Sequence, residues 1–406
     1  MAGGNLDRVL KLMAERGASD VYLSANTPIL LKIHGQILQL SDQSLSPTQT
    51  RELLLESLTP DQVQELDITG ELNVAISVSR VGSFRLSAFK QRGSIAAVLR
   101  CIPPMIPMLD TLGLPPVLSS LALERRGLIL IVGATGTGKS TTMASMIECR
   151  NQQVTGHILT IEDPIEFLFT NKRSIVNQRE IGRDTASLDV ALRNALRQSP
   201  DCIMIGEIRD RETMSAAISY ALAGHLILAT LHANNSYHAL GRILSFYDPD
   251  SRPALLSDLA AALRAVISQR LVRATVGGRK AAVEVLLNTR LVSELIEQGD
   301  LSGIRAAVEK SMAAGSQTFE QDLVRLITEG VISRAEGLVN ADSATNLLWQ
   351  LQNEPAVAAP APVNEIEQDA PIYTEFSVDV RPWQESLSPP FPAPFPTPFP
   401  PARPNQ

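Results

Sequence analysis

Between about residue 117 and residue 235 the chain alternates short apolar runs with segments of helical periodicity. The apolar runs are LILIVG, HILTIED, DCIMIGE and LILATLH. The segments between them place apolar residues three and four positions apart and include STTMASMIECRNQ, LDVALRNALRQS and RETMSAAISYALA. Short apolar runs predict buried strands, and the second spacing predicts amphipathic helices. This alternation predicts a parallel sheet covered by helices, an α/β fold.

The segments on either side follow different patterns. The pattern of residues 1–101 predicts a smaller α/β domain, with a first helix to about Arg16 and another helix that begins at SerProThr, residues 46–48. Its predicted strands are VYLS, ILLKIHG, LNVAISVSR and SFRLSAFKQ. Residues 102–116 are rich in proline and poor in regular pattern, which predicts a linker that moves. The core domain is predicted at 117–353, and its last hundred residues are almost entirely helical by pattern, with AAVEVLL as one strand.

Composition is typical of a soluble, globular chain of two or three domains, with 44% hydrophobic and 19% charged residues among 406. No window approaches the roughly 20 apolar residues of a membrane span, and the N-terminal segment resembles an amphipathic helix more than a signal peptide. The three separated cysteines suit a reducing cytoplasm and give no metal site. The net charge of −7 argues against nucleic acid as the main partner.

The C-terminal segment, residues 354–406, differs from the rest in composition. It holds 14 of the 26 prolines and seven acidic residues against two basic ones. Such a segment cannot bury enough apolar surface to offset the entropy lost on ordering, so we predict a disordered tail with polyproline character. Its repeated Phe-Pro pairs suit docking into an aromatic groove, and a plain unstructured extension explains them equally well.

The segment GATGTGKS, residues 133–140, matches the phosphate-binding pattern G-x-x-x-x-G-K-S/T in full. It follows a predicted strand and precedes a predicted helix, which is the context this motif requires. Its glycines let backbone N–H groups face phosphate oxygens, and the helix N-terminus adds its positive dipole end. Lys139 is expected to reach the β- and γ-phosphates of ATP, and the Ser140 hydroxyl to ligate Mg²⁺. The predicted nucleotide-binding residues are Gly133, Ala134, Thr135, Gly136, Thr137, Gly138, Lys139, Ser140 and Thr141.

Acidic residues follow two other predicted strands. CIMIGEIRD ends its strand at Glu207, where a Walker B carboxylate would hold Mg²⁺. TIEDPIEF supplies Glu162, Asp163 and Glu166, and one of these can orient and polarise the attacking water. A solvated acidic turn is the alternative. Ligands of such sheets bind at the carboxyl ends of the strands, which favours the functional interpretation.

The stretch GHLILATLHANN encloses an apolar strand between His225 and His232. If this strand lies beside the one that ends at Glu207, His232 comes out near the γ-phosphate and its ring can report whether that phosphate is present. His225 lies at the opposite end of the strand, and a structural role for it is an equal alternative.

Taken together, GATGTGKST, HILTIEDPIEF, NQREIGRDT, ALRNALRQSPDCIMIGEIRD and GHLILATLHANN resemble the secretion ATPases that drive type IV pili, and more narrowly the pilus retraction ATPases of the PilT/PilU type. The resemblance extends from residue 1 to about 350. ASDVYLSANTPILLKIHGQI is similar to the N-terminal domain of the family, and AVISQRLVR and GSQTFEQDL to its C-terminal helices. It implies a RecA-like P-loop NTPase core, a smaller PAS-like N-terminal α/β domain and a helical C-terminal part.

The resemblance also implies roles and partners. Glu166 would be the general base, Glu207 the Walker B acid and His232 the nucleotide sensor. The chain would form a homohexamer in the cytoplasm at the inner-membrane base of the pilus, acting on a platform protein of that membrane and beside another retraction ATPase. Nucleotide would sit between subunit domains, so that N-terminal arginines act in trans, with strand-surface charge as the alternative for each. The candidate arginines are Arg85, Arg92 and Arg100.

Two departures narrow the resemblance, the first to the retraction ATPases and the second to their PilU-like branch. Extension ATPases commonly carry a tetracysteine zinc site, which three scattered cysteines exclude. Where the principal motor has an AIRNLIRE-like helix, residues 290–299 read RLVSELIEQG, with Glu294 and Glu297 and without the middle basic residue. We therefore predict an ATP-hydrolysing retraction motor for twitching motility that works with a principal motor. The alternatives are an accessory regulator that binds ATP with little turnover, and a pilus or secretion assembly ATPase.

Overall fold

The chain was analysed as a computed structural model, which describes residues 4–33, 36–78, 81–102, 105–311 and 313–353. Its helices are α1 (Asn5–Glu15), α2 (Pro47–Leu55), α3 (Pro60–Thr69), α4 (Val117–Ala122), α5 (Lys139–Gln153), α6 (Leu188–Ala195), α7 (Arg211–Leu222), α8 (Ser236–Ser245), α9 (Arg252–Ala262), α10 (Arg290–Gln298), α11 (Leu301–Glu309), α12 (Phe319–Thr328), α13 (Arg334–Asn340) and α14 (Ala344–Asn353). Its strands are β1 (Asp20–Leu23), β2 (Leu30–Ile33), β3 (Gln36–Gln39), β4 (Glu71–Val78), β5 (Gly82–Gln91), β6 (Ser94–Ile102), β7 (Gly127–Val132), β8 (Gly156–Glu162), β9 (Ser174–Glu180), β10 (Cys202–Ile205), β11 (Leu226–Leu231), β12 (Leu263–Arg273) and β13 (Arg279–Leu287). Two sheets organise these elements.

The first sheet is six-stranded and belongs to the N-terminal part. Its order is β3-β2-β1-β6-β5-β4, and every pairing is antiparallel. Helices α2 and α3 each begin with a capping box, in which the side chains of Ser46 and Thr59 accept hydrogen bonds from the third residue of the helix. Apolar side chains of α1 to α3 pack with those of the strands in one core. The predicted first helix and four strand segments are confirmed, whereas β3 and β6 were not predicted.

The second sheet is seven-stranded and carries the predicted phosphate-binding motif. Its order is β13-β12-β7-β11-β10-β8-β9, with β13 antiparallel at one edge and the other strands parallel. Every residue of β7 and β11 is buried, because helices cover both faces. A strand buried on both faces has a continuous apolar sequence, which explains the runs seen in the chain. The predicted parallel α/β core is therefore confirmed.

The segment AVISQRLVR was predicted to be helical, and this prediction was wrong. It forms most of β12, which pairs in parallel with β7 and antiparallel with β13. Periodicity cannot separate a strand buried on both faces from a buried helix, so the pairing with β7 decides the structure. The described part of 252–352 therefore contains two strands and not one. The AAVEVLL strand is confirmed as part of β13, and β9 was not predicted.

The predicted linker contacts the core in its described part. Leu109 begins a 3₁₀ turn, Leu109–Leu112, and is buried. The carbonyl of Pro107 accepts a hydrogen bond of 2.8 Å from the Ser145 hydroxyl on α5. Within the described ranges no helix is both long enough and apolar enough to cross a membrane. The predicted tail, residues 354–406, lies outside the described residues.

Candidate nucleotide site

A cavity of about 750 Å³ opens at the carboxyl ends of β7, β11, β10 and β8. Its size suits a nucleotide, and the carboxyl ends of parallel strands are where such sheets bind ligands. The lining includes residues from all four predicted motifs: Thr135, Gly136, Gly138, Lys139, Ser140, Thr141, Glu166, Glu207 and His232. The remaining motif residues, Gly133, Ala134 and Thr137, build the loop that carries them. The sheet therefore brings together side chains that are up to about a hundred positions apart in the chain.

Glycines shape the loop between β7 and α5. Gly136 and Gly138 have φ values of 79° and 91°, in the left-handed region that residues with a Cβ rarely adopt. Apart from the neighbouring residues in the chain, no heavy atom of the described residues lies within 4 Å of where a Cβ would stand at these two positions, so the space above the loop is open. A Cβ on Gly133 would lie 2.7 Å from the backbone oxygen of Gln269 on β12. The open cradle at the start of α5 fits phosphate oxygens, as the motif predicts.

Lys139 is the first residue of α5 and is 8% exposed. Its Nζ donates hydrogen bonds of 2.9 Å to the carbonyls of Gly133 and Ala134. Burial lowers the pKa of this amine, and the negative charges of Glu207 and Glu166 act in the opposite direction. The ammonium is thus held over the loop by neutral carbonyls, with carboxylates facing it across the cavity.

Glu207 follows β10 and has two close partners. Its Oε2 accepts a hydrogen bond of 2.7 Å from Arg209 Nε, and its Oε1 lies 2.9 Å from His232 Nε2. The expected neighbourhood of the two strands is confirmed, because β11 pairs with β10 on one side and with β7 on the other. His232 therefore lies between the phosphate-binding loop and the predicted Walker B carboxylate. The hydroxyl of Ser140 and the carboxylate of Glu207 line the same cavity, and oxygen ligands of this kind fit Mg²⁺.

The three carboxylates of TIEDPIEF have different surroundings. Glu162 is buried and accepts hydrogen bonds from Thr160 Oγ1 at 2.6 Å and from Gln178 Nε2 at 3.1 Å. Burial raises the pKa of Glu162, and these two hydrogen bonds oppose the rise. Asp163 is exposed and lies 3.7 Å from Arg209 Nη1. Glu166 is also exposed, and all three carboxylates line the cavity, so the assignment of the water-activating role to Glu166 stays a prediction.

His225 lies at the amino end of β11, away from the cavity. Its ring Nδ1 is 2.7 Å from the carbonyl oxygen of Pro200, and its backbone N–H donates to the carbonyl of Tyr220. These contacts join β11 to the segment before β10 and to the end of α7. The structure therefore favours the structural alternative for His225.

The three candidate arginines occupy three different places. Arg100 on β6 lines the nucleotide cavity of its own chain, and its Nε donates to Asp20 at 2.8 Å. Arg85 lines a separate cavity of about 70 Å³ together with Asp163. Arg92 stands in the turn between β5 and β6 with a φ of 45°. The position of Arg100 beside its own site was not foreseen, and action in trans stays a prediction for all three.

Several lining residues were not predicted. Arg209 follows Glu207 by two positions, and an arginine so close to a Walker B acid was a signal that the sequence offered. Leu271 and Arg279 come from the β12–β13 hairpin and also line the cavity. The assignment of AVISQRLVR to a helix hid them, because only the pairing of β12 with β7 brings the hairpin to the phosphate-binding loop.

Comparisons with known proteins agree with this geometry. The family described as Type II/IV secretion system protein matches residues 4–298. The type IV pilus ATPase PilU of Pseudomonas aeruginosa is 47% identical over 342 residues, which cover 84% of this chain and 90% of that protein. The type IV pilus retraction ATPase PilT of the same organism is 36% identical over 330 residues, covering 81% of this chain and 96% of that protein.

Solved structures give the same result for the fold. The crystal structure of the pilus retraction motor PilT with bound ADP has a TM-score of 0.80 and 39% identity, and the match covers 84% of this chain and 98% of that one. The ATPase DotB of Legionella pneumophila has a TM-score of 0.70 and 29% identity, covering 82% and 94%. The predicted RecA-like core and the resemblance to pilus ATPases of the PilT/PilU type are thereby confirmed. The chain belongs to the family of type II/IV secretion system proteins.

Proposed function

We propose that this chain is an ATP-hydrolysing motor subunit that powers retraction of type IV pili, in the PilU-like branch of its family. The observation that carries the proposal is the convergence of Lys139, Glu166, Glu207 and His232 on one cavity at the carboxyl edge of the sheet. Two relatives that match 84% and 81% of this chain carry the names of pilus ATPases. A binding module without turnover would not need both an exposed carboxylate and a histidine facing the phosphate-binding loop.

Each side chain has a part in the proposed reaction. Backbone N–H groups of the loop and the Lys139 ammonium bind the phosphate chain of ATP. Glu166 orients the attacking water and accepts its proton, and His232 contacts the γ-phosphate. Ser140 and Glu207 are the residues that would hold Mg²⁺, which when bound would supply positive charge to offset that of the phosphate groups. The protein forms no covalent bond to the phosphoryl group in this reaction. It lowers the barrier to hydrolysis by positioning the reactants and stabilising the charge that develops.

The assembly that we propose is a homohexamer with nucleotide between subunit domains. Arg85, Arg92 and Arg100 are then the candidates to act across the subunit boundary, and Arg100 also lines the cavity of its own chain. Hydrolysis moves the N-terminal part against the core through residues 102–116. The chain acts in the cytoplasm at the inner-membrane base of the pilus, on a platform protein of that membrane, and beside another retraction ATPase.

A second candidate is an accessory subunit that binds ATP and modulates another retraction hexamer with little turnover. It is favoured by α10, whose sequence departs from the helix of the principal motor. There the Nε of Arg290 donates to Glu294 at 2.9 Å, so that the basic residue at the helix start is paired within the helix itself. This helix lies in the C-terminal part, outside the nucleotide cavity.

Steady-state hydrolysis of Mg-ATP by the purified full chain separates the two candidates. We expect the wild type to turn over ATP, Glu166→Gln to bind ATP without turnover, and Lys139→Ala to bind ATP poorly. Glu329→Gln is the control, since this exposed carboxylate pairs with Arg325 and does not line the cavity. Wild-type protein that binds ATP without hydrolysing it would establish the accessory subunit instead. Protein that binds no nucleotide would contradict both.

A further inference from the structure

The segment that follows His232 is held by residues far from it in the chain. We define residues 232–236 as the His232 loop, which connects β11 to α8. Arg270 Nη2 on β12 donates to the carbonyl of Asn234 at 3.3 Å. The buried Asn235 donates through Nδ2 to Asp342 Oδ2 at 3.0 Å, and its Oδ1 caps α8. These contacts fix the loop at its far end, while β11 fixes it at its near end.

A third contact completes the attachment of the loop. The backbone N–H of Ser236 donates to Glu284 Oε1 at 2.7 Å, and the same oxygen accepts a hydrogen bond from Ser268 at 2.9 Å. Glu284 lies on β13 and is buried. The loop is therefore attached to β12, to β13 and to the segment between α13 and α14. All three attachments come from the C-terminal part of the chain.

Arg270 and Asp342 are themselves held rigidly. They form an ion pair, and their side chains are only 19% and 18% exposed. Arg270 Nη1 donates to the carbonyl of Asn340 at 2.6 Å, and its guanidinium lies 3.9 Å from the centre of the Phe319 ring. A planar guanidinium can make several directed hydrogen bonds and stack on a ring at once, which lysine cannot do. This geometry fixes the relation between the loop and helices α12 to α14.

We infer that Arg270 and Asp342 are positioning residues for His232. The His232 side chain is 48% exposed, so its position depends on the backbone of its loop more than on packing. The inference rests on the proposed function, in which His232 contacts the γ-phosphate. Through Asn234 and Asn235, the Arg270–Asp342 pair holds the imidazole at the cavity, 2.9 Å from Glu207.

The same contacts give the C-terminal helices a link to the nucleotide. Coupling between two sites is reciprocal. If the contacts of the Arg270–Asp342 pair favour binding of the γ-phosphate through His232, binding of the γ-phosphate favours those contacts by the same free energy. The segment 341–343 that carries Asp342 is also held by Glu320, whose Oε1 accepts from the Ser343 N–H at 2.8 Å. Helices α12 to α14 are thus coupled to the presence of the γ-phosphate.

The test compares two nucleotides, because a purely structural pair would affect both alike. Dissociation constants for ADP and for a non-hydrolysable ATP analogue, both with Mg²⁺, are measured by calorimetry on the full chain. The variants are Arg270→Lys, Asp342→Asn, His232→Ala and the double variant of Arg270→Lys with His232→Ala. Arg325→Lys is the matched control, since Arg325 pairs with Asp322 on α12 and contacts no residue of the loop in the described structure. Melting temperatures are recorded for every variant.

We expect Arg270→Lys to weaken binding of the ATP analogue about tenfold, or about 1.4 kcal/mol. This is the order of magnitude for the loss of one hydrogen bond that involves a charged group. ADP binding is expected to change less than about twofold, and the control less than about twofold for either nucleotide. Asp342→Asn is expected to lower the preference for the ATP analogue over ADP in the same way, and it replaces Arg270→Lys in the test if that variant fails to fold. The double variant is expected to bind the analogue no more weakly than His232→Ala alone, because the two substitutions remove the same contact, that of His232 with the γ-phosphate.

Equal loss for both nucleotides, or additive losses in the double variant, would overturn the inference while leaving ATP hydrolysis by the wild type intact. A His232→Ala variant that keeps the full preference for the analogue would overturn it as well. Wild-type protein that binds neither nucleotide would instead contradict the proposed function, and the inference with it. The two failures are therefore distinguished in the same set of titrations.

Discussion

His232 Nε2 lies 2.9 Å from Glu207 Oε1, although the two residues end different strands. The parallel pairing of β10 with β11 sets this distance, since Ile205 lies opposite Ala229 and both strands end at the same edge of the sheet. Glu207 also accepts from Arg209 at 2.7 Å, so one carboxylate receives two nitrogen groups. A metal ion held by Glu207 would share the carboxylate with these two groups, and His232 would then respond to what the cavity holds.

Glu207→Gln tests this arrangement first. The amide keeps the shape of the side chain and loses the charge that, in the proposed function, would hold a divalent cation. We therefore expect turnover to fall about 100-fold and the Mg²⁺ concentration for half-maximal rate to rise. Rates are measured over a range of Mg²⁺ at saturating ATP. Glu212→Gln, on the exposed first turn of α7, is the control and should behave as wild type. Unchanged dependence on Mg²⁺ in Glu207→Gln would remove this residue from the metal site.

Gly133→Ala tests the contact between the phosphate-binding loop and β12. The added Cβ would lie 2.5 Å from Thr137 Oγ1 and 2.7 Å from the backbone oxygen of Gln269, and the backbone oxygen has little freedom to move. We expect displacement of the loop, a lower melting temperature and at least about tenfold weaker ADP binding, because the backbone N–H groups lose their alignment.

Gly241→Ala is the matched control for that substitution. Gly241 lies inside α8, and among the described residues outside that helix its added Cβ would meet Leu301 Cδ1 alone, at 3.8 Å. Alanine is favoured over glycine in a helix by about 1 kcal/mol, so we expect slightly higher stability and unchanged nucleotide binding. Equal effects of the two alanines, measured by thermal unfolding and by calorimetry with ADP, would show that the contact of Gly133 with β12 is not required.

The sequence predicts well the parts of the site that a single strand and the turn after it can specify. β7, β10 and β11 are buried throughout, and the motif residues Lys139 and Glu207 come in the loop or helix that follows such a strand. Their assembly follows from the rule that parallel strands present their carboxyl ends at one edge. The distance between His232 and Glu207 follows once β10 and β11 are neighbours.

The sequence does not predict what depends on the choice of strand partner. β12 has buried residues on both faces, so its sequence shows no alternation, and its hydrogen bonds to β7 and β13 make it a strand. The cavity residues Leu271 and Arg279 and the pair formed by Arg270 and Asp342 all depend on this pairing. The cis position of Arg100 likewise depends on the register of β1 with β6, which places Asp20 opposite it.

Asp20→Asn tests whether the position of Arg100 matters to the site. Asp20 is 3% exposed and accepts hydrogen bonds from Arg100 Nε at 2.8 Å and from Ser19 Oγ at 2.9 Å. The asparagine keeps the shape and loses the charge that holds the guanidinium over the cavity. We expect kcat/KM for ATP to fall about three- to tenfold, with a loss of the order of one hydrogen bond to a charged group.

The control for Asp20→Asn is Asp67→Asn, which breaks the exposed ion pair with Arg51 in the same N-terminal part and lies away from the cavity. It should leave kcat/KM unchanged. In the Arg100→Ala background, Asp20→Asn should have no further effect on kcat/KM. A lower melting temperature with unchanged kinetics would assign Asp20 to the stability of the N-terminal sheet alone.

Glu284→Gln tests the buried carboxylate that holds Ser236. Burial raises the pKa of Glu284 above its ordinary value near 4.5, and hydrogen bonds from Ser236 and Ser268 oppose the rise. The folded state therefore keeps this proton to a higher pH than the unfolded state does. The stability linked to that proton is fully present below pH 4.5 and is lost as the pH rises through the folded pKa.

Glutamine cannot ionise, and its carbonyl oxygen can still accept from Ser236 and Ser268. The free energy of unfolding of Glu284→Gln should therefore rise relative to wild type as the pH increases above about 4.5, by at most about 1.4 kcal/mol per pH unit. Urea unfolding at several pH values from about 4 to 8 measures this difference, with Glu329→Gln as the exposed control. Because Glu162 and Asp322 also have raised pKa values, the wild-type curve alone contains several contributions, and the difference isolates one. A difference that stays constant with pH would mean that Glu284 ionises equally in both states, and its burial would then carry no cost in stability.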